Sequence, residues 1–212
     1  MLLDTLKDKR IILASQSPRR VELLHGLGVR FIQTEDIHSD ESYPDNLSKN
    51  SIPAYISEKK SNAYTGTLGE NDILLTADTI VWSHDEVLNK PKDRADAERM
   101  LNQISGTAHE VITGVTLRSK DKVQTFTVTS TVHFRPLDEE EIEYYIDTYN
   151  PYDKAGAYGI QEWIGYVGLE RIEGSYFNVM GLPVQKLYME LIKFTNKYES
   201  AGIDGFYLEE EE

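Results

Sequence analysis

The stretch Leu13–Arg20, LASQSPRR, sets two hydroxyls, a proline and two arginines directly behind an apolar run. A strand that turns into a helix N-terminus leaves backbone N–H groups pointing out of the turn, where they favour an anion. Ser15, Ser17, Arg19 and Arg20 add side-chain donors, and the planar arginine fork suits phosphate oxygens. The plainer reading is a capped helix with two solvated arginines. Positive charge in a first helical turn opposes the helix dipole, so a negative group nearby is expected to offset it.

Asp78 is the second candidate, lying in the middle of DILLTADTIVW. A carboxylate in such an apolar strand costs several kcal/mol to bury unless it is paired, protonated or bound to metal. It therefore belongs at an edge or a cleft, or else caps a local turn. Glu41 in DES, Lys59 in SEKKSN, Lys90 in NKPKD and Lys154 in DKAGAYG each read singly as a solvated surface charge. Lys90 differs only in that Pro91 fixes its backbone.

These residues need elements to hold them. RIILAS reads as a buried strand, followed by a helix with Ser17 at its N-cap, Pro18 at its first position and Gly28 at its end. VRFIQT reads as a second strand, EDIHSDESYPDN as a loop, and about 51–64 as a helix. DILLTADTIVW gives the strongest strand signal. Asp93 caps a helix that ends before Gly106, and two β-branched runs between Thr107 and Phe134 flank SKDK as a hairpin. Asp138 with Glu141 forms a capping box for a helix toward Tyr149. NPYDKAGAYGIQ reads as irregular, a short strand pair follows, and Pro183 opens a last amphipathic helix to about Tyr198. Interleaved strands and helices with a central hairpin predict an α/β fold with a mixed, elongated sheet. One domain over 1–205 is expected, followed by a solvated acidic tail over 206–212.

Bulk properties narrow the function. The 212 residues carry 36 Asp and Glu against 22 Lys and Arg, a formal net charge of -14. A surface of that sign repels nucleic acid and anionic membrane, so neither is expected as a partner. The chain has no cysteine, which removes thiolate catalysis, disulfides and Cys-ligated zinc. No signal-type leader and no apolar run near the roughly 18 residues of a membrane span is seen, so a cytoplasmic protein is expected. The five histidines show no HExxH-type spacing, and neither GxxxxGK[ST] nor a strand-borne GxGxxG occurs.

LASQSPRR, DES, SEKK, TADTIV, KPKD, ISGTAHEVITGV, DKAGAYGIQ and GSYFNVMGLPV follow one another in an order and spacing that resembles the Maf family of nucleoside triphosphate pyrophosphatases, from about Ile11 to Tyr198. The resemblance implies a mixed-sheet α/β fold with two lobes around a cleft, like that of inosine triphosphate pyrophosphatases. It implies hydrolysis of a nucleoside triphosphate at the α-phosphate with a divalent cation, Mg²⁺ or Mn²⁺, and suggests a homodimer. Asp78 matches the family's proton acceptor, a role that the residues alone do not separate from holding metal with Glu41. Ser15, Arg20, Lys59 and Lys90 match polar cleft positions suited to phosphate.

Arg19, Thr79 and Gln161 match the positions tied to substrate choice. They follow the dTTP/UTP pattern and depart from that of the 7-methyl-GTP branch, which has tryptophan, glutamine and glutamate there. Gln161 offers a donor and an acceptor to the O4/N3 edge of uracil or thymine; a normal or a modified pyrimidine triphosphate would both fit. Glu162 and Trp163 depart from the small residues common after that glutamine and are expected to reshape the base pocket. A non-catalytic regulator of cell division is the rival expectation, against which the charge and the intact Asp78 both speak.

Overall fold

The apolar segment around Asp78 becomes the central strand of a mixed sheet. The computed structural model describes residues 2–195 apart from 36 and 38. In chain order the elements are α1 (Leu2–Thr5), β1 (Arg10–Ala14), α2 (Pro18–Gly26), β2 (Phe31–Thr34), α3 (Ser51–Asn62), β3 (Asp72–Ser83), β4 (Glu86–Leu88), α4 (Arg94–Ile104), β5 (Ala108–Arg118), β6 (Val123–Phe134), α5 (Glu139–Tyr149), α6 (Trp163–Gly168), β7 (Leu169–Glu173), α7 (Tyr176–Val179) and α8 (Val184–Thr195). The expected reach of the last helix to Tyr198 and the acidic tail over 206–212 lie outside the described residues.

The sheet runs β2-β1-β3-β5-β6-β7, with β4 paired to β3. β1 is parallel to β2 and β3, while β3–β5, β5–β6 and β6–β7 are antiparallel. This is the mixed α/β sheet that the interleaved pattern predicts. Period-2 alternation along β3 sends Leu75, Ala77 and Val81 into a large core under α2, α4, α5 and α8. On the opposite face Ile80 and Ile112 meet Ile52 and Ile56 of α3.

Helix α3 is drawn close to the sheet by composition. A Cβ on Gly114 of β5 would lie 2.2 Å from the Pro53 carbonyl oxygen, so only glycine lets the helix start sit there. Hydrogen bonds then fix it: the Thr76 hydroxyl donates to the Ser57 carbonyl at 2.7 Å, and the Ser57 and Thr116 hydroxyls meet at 2.9 Å. The caps hold as well. Asp93 accepts from the Asp96 N–H, and the Asp138/Glu141 capping box is present.

The strand pair expected after GIQ is instead a helix, a strand and a helix. β7 finds its partner on the free edge of β6, at Thr131–Phe134, so no local second strand is needed. GSYFNVM coils into α7 because Ser175 caps it, its hydroxyl accepting from the Asn178 N–H. Strand β4, missed in the sequence, is turned back onto β3 by His84 and Asp85, both at positive φ (49° and 62°).

Candidate active site

The cleft begins at a break in the sheet. β1 pairs with β3 only through Asp72–Leu75, and β4 takes up that edge only at Val81–Ser83. Between them, the Thr76–Ile80 backbone is paired only by β5. β1 leaves the sheet at this point because Ser15–Ser17 turn into α2. The turn carries Pro18 at the first helical position; Ser17 stands at the N-cap, but its side chain makes no capping bond. The notch opens into a cleft of about 530 Å³, lined among others by Ser15, Arg19, Glu41, Asp78, Lys90 and Gln161. That size falls within the range of small-molecule sites.

Arg20 fills the notch. Its Nη1 donates to the Ala77 carbonyl at 2.8 Å, its Nε to the Gly181 carbonyl at 2.9 Å and its Nη2 to the Thr79 hydroxyl at 3.1 Å. Burial pulls its guanidinium below its usual range, and the Asp78 carboxylate pushes back. Gly181, at φ 113°, adopts a conformation that favours glycine and so presents its carbonyl to Arg20. The Ser15 hydroxyl lies 3.5 Å from Arg20 Nη1 and accepts the Ser17 N–H at 3.2 Å. Arg19 points the other way and donates to Asp153 at 2.9 Å. The two arginines thus divide: one braces the floor and the other stands on the rim.

Asp78 and Thr79 are consecutive and face opposite sides of β3. Asp78, only 7% exposed, accepts from Lys60 Nζ at 2.7 Å, and the same ammonium reaches Glu41 at 2.9 Å. Lys90 approaches the other Glu41 oxygen at 3.6 Å. Although burial works to raise it, the Lys60 and Lys90 charges hold the Glu41 carboxyl below its ordinary value. Thr79 shares its hydroxyl with Thr113 at 2.9 Å and with Arg20. Gln161 also reaches the cleft, and its amide oxygen is buried with no hydrogen-bond partner among the described residues.

One expected phosphate ligand stands elsewhere. Lys59 does not line the cleft; it donates to the Ser42 carbonyl at 3.0 Å and pairs with Asp40 in the loop. Lys60 is the cleft lysine, and helical phase reveals it: Ile52 and Ile56 are buried against the sheet, and the next residue on that stripe is Lys60. Lys154, which reads as a surface charge in sequence, is 7% exposed and paired with Asp153 at 2.7 Å and Glu162 at 3.1 Å. The negative group that the arginines call for includes Asp153, for which the sequence gives no separate signal.

Among the described residues, no cluster of three or more His, Asp or Glu forms a ready-made metal cage. Glu41 and Asp78 nevertheless fit a hard divalent cation. They present two carboxylates across a shared positive charge, with the Lys60 ammonium as its stand-in, and Mg²⁺ characteristically takes one or two carboxylates plus substrate phosphates.

A model of the family described as Maf-like protein matches residues 10–194. The chain belongs to the Maf family. A Parabacteroides distasonis member named dTTP/UTP pyrophosphatase is 53% identical over 193 residues, covering 91% of this chain and all of that one. A Flavobacterium psychrophilum member of the same name is 44% identical over 196 residues, 92% of this chain and 100% of its own length. Among solved structures, a Ham1 protein from Coxiella burnetii aligns over 87% of this Maf chain and 99% of its own, with a TM-score of 0.47 and 14% identity.

Proposed function

We propose that this Maf protein hydrolyses dTTP and UTP to the nucleoside monophosphate and pyrophosphate. The observation that carries the reading is the buried Asp78 in the notch, which meets Glu41 across the shared Lys60 ammonium. The names of its relatives agree with it.

The triphosphate lies across the break with its phosphates toward Ser15, Lys60 and Lys90. Lys60 and Lys90 leave the carboxylates and pair with phosphate oxygens. Glu41 and Asp78 would hold a divalent cation, which when bound would neutralise charge on the departing pyrophosphate. Asp78 orients a water on the α-phosphorus and takes its proton as the new P–O bond forms. The bond from that phosphorus to the bridging oxygen breaks, and pyrophosphate carries off the electron pair. Arg20, expected as a phosphate ligand from its motif position, is instead committed to the Ala77 and Gly181 carbonyls and the Thr79 hydroxyl and braces the floor. Arg19, Thr79 and Gln161 form the base wall. The unpartnered Gln161 amide oxygen supports a pyrimidine there, because it is an acceptor for the N3–H of uracil or thymine.

The test is a panel of nucleoside triphosphates with Mg²⁺ or Mn²⁺, assayed separately for pyrophosphate and for orthophosphate. Pyrophosphate from dTTP and UTP in preference to purine triphosphates is the expected result. Orthophosphate alone would mean attack at the γ-phosphate, and no product from any triphosphate would remove the enzymatic reading. The soluble cytoplasmic setting and a homodimer belong to the same proposal; sedimentation of the free protein tests the latter.

A further inference from the structure

Glu162 directly follows Gln161 and stands at the N-cap position of α6, yet its side chain makes no capping bond there. It turns back over Gly159 instead. One oxygen accepts from the Tyr145 hydroxyl of α5 and the other pairs with Lys154 at 3.1 Å. The Tyr145 hydroxyl in turn accepts the Gly159 N–H at 2.9 Å. A Cβ on Gly159 would meet the Glu162 carboxyl carbon at 2.9 Å and the Lys154 Cε at 3.1 Å, so the glycine makes room for this pair.

The chain of charges continues across the cleft. Lys154 also donates to one Asp153 oxygen at 2.7 Å, and Arg19 donates to the other at 2.9 Å. Burial works to raise the Asp153 carboxyl, but Lys154 and Arg19 hold it below its usual range. Two carboxylates and two cations thus alternate from the N-cap of α6 to the start of α2. The most buried of the four is Lys154, with 8% of its side chain exposed. A buried ammonium requires a paired counter-charge. Asp153 is half-exposed and is also the carboxylate that Arg19 must leave to meet a nucleotide.

We propose that Glu162 is a positioning residue for base selection. It fixes the turn that carries Gln161, and through Lys154 and Asp153 it sets where Arg19 stands. This rests on the nucleotide reading of the cleft and deepens it. With Glu162 charged, Lys154 stays seated whether or not Arg19 is held by Asp153, so the base wall keeps its shape when the substrate draws Arg19 away. Neutralising Glu162 leaves Asp153 as the sole counter-charge of Lys154, and Arg19 and Lys154 then compete for it.

The experiment measures calorimetric binding of α,β-imido dUTP and α,β-imido dCTP to wild type, Glu162→Gln, Lys154→Met and the double variant, beside turnover of dUTP and UTP. Glu162→Gln is expected to lower the dUTP-over-dCTP binding ratio by about tenfold and to raise KM for UTP more than it lowers kcat. Because Glu162 acts through Lys154, the double variant should lose no more discrimination than Lys154→Met alone. A merely structural role would make the two losses add. An unchanged ratio in a folded Glu162→Gln, or additive losses, overturns the proposal while the nucleotide site stands. Failure of the wild type to bind either analogue overturns both. Should Glu162→Gln not fold, Tyr145→Phe loosens the same carboxylate at nearly constant volume and must reproduce a smaller shift of the ratio, without which the proposal falls.

Discussion

The two sides of β3 solve different problems with neighbouring residues. On the Asp78 side the groups are ionic and exchangeable: Lys60 spans Asp78 and Glu41, and Lys90 approaches from an exposed loop. On the Thr79 side they are packed and mostly committed. Thr79 is held by Thr113 and Arg20, and Arg20 by two backbone carbonyls. A site that must admit a metal and a polyanion needs charges that can trade partners. A site that must tell one base from another needs fixed dipoles, since discrimination comes from polar groups left unpaired by the wrong ligand. Strand alternation puts Asp78 and Thr79 on the two sides, and the proposed reading assigns each side its task.

The largest effect should come from the ionic side. Asp78→Asn keeps the shape but removes the proposed proton acceptor and metal ligand, so pyrophosphate release should fall at least about a hundredfold. Binding of α,β-imido dUTP without metal should persist and the circular dichroism should match wild type. Near-normal turnover in that folded variant would take Asp78 out of the chemistry and dissolve the contrast between the sides.

Next come the cations that reach outward. Arg19→Ala and Lys90→Ala each remove one charge-assisted contact, about 1.5–3 kcal/mol of the reaction. Loss of the exposed Lys90 should change stability by within about 0.5 kcal/mol, and loss of Arg19, half-buried against Asp153, by somewhat more. The check is kcat/KM for dTTP beside a thermal melt. Equal losses in both measurements would make these residues scaffold. Lys60→Met should behave differently from either. Turnover drops, yet Mn²⁺ affinity of the nucleotide-free protein, read by electron paramagnetic resonance, should rise, because the variant removes the ammonium that competes for Glu41 and Asp78. Weaker Mn²⁺ binding would mean that Lys60 organises the carboxylates and does not hold their place.

On the fixed side, Gln161→Glu should shift the ratio of dTTP to 7-methyl-GTP hydrolysis by about 1–3 kcal/mol. An ionised carboxylate only accepts, so it leaves O4 of the pyrimidine facing a lone pair, whereas methylguanine supplies donors and positive charge. Specificity constants for the two substrates decide it, and a constant ratio would mean that Gln161 does not read the base.

What sequence revealed of this site follows the range of the interaction involved. Asp78 stands out because a carboxylate in an apolar strand is a local anomaly, and SPRR because two cations at a helix start oppose its dipole. The choice between Lys59 and Lys60 was also local, fixed by the stripe of Ile52 and Ile56, but a motif match does not resolve helical phase. Asp153 and Lys154 were illegible for another reason. Arg19, the partner of Asp153, lies far upstream. Glu162, though only eight residues after Lys154, meets it through an irregular turn, so no helix or strand spacing rule connects either pair. The same holds for β7, whose partner β6 lies well upstream, and for the break in the sheet, which exists only because β1 and β4 stop at different places along β3.

The smallest effect on the reaction, and the sharpest check on the packed side, concerns what lies behind it. Tyr158 lines the cleft, and its hydroxyl meets His109 Nε2 at 2.7 Å in the core. Burial, with a smaller push from His133, takes the His109 imidazole down to about 3 from an ordinary 6.5. The folded protein therefore holds this ring neutral where the unfolded chain protonates it. Stability from that difference is fully present above about pH 6.5 and is lost progressively as pH falls toward 3, with about 2 kcal/mol gone by pH 5. Carboxylates such as Asp153 and Glu41, held low by their cations, contribute their loss only at lower pH. His109→Gln keeps a hydrogen-bonding group for Tyr158 and removes the titration. Urea melts from pH 7.5 to pH 5 should show the wild type losing stability across that window and the variant losing about 2 kcal/mol less. Turnover of dTTP at pH 7.5 should be nearly unchanged. Parallel losses in the two proteins would place the acid sensitivity with the ion pairs of the other side, and the packed wall would then owe nothing to a neutral histidine behind it.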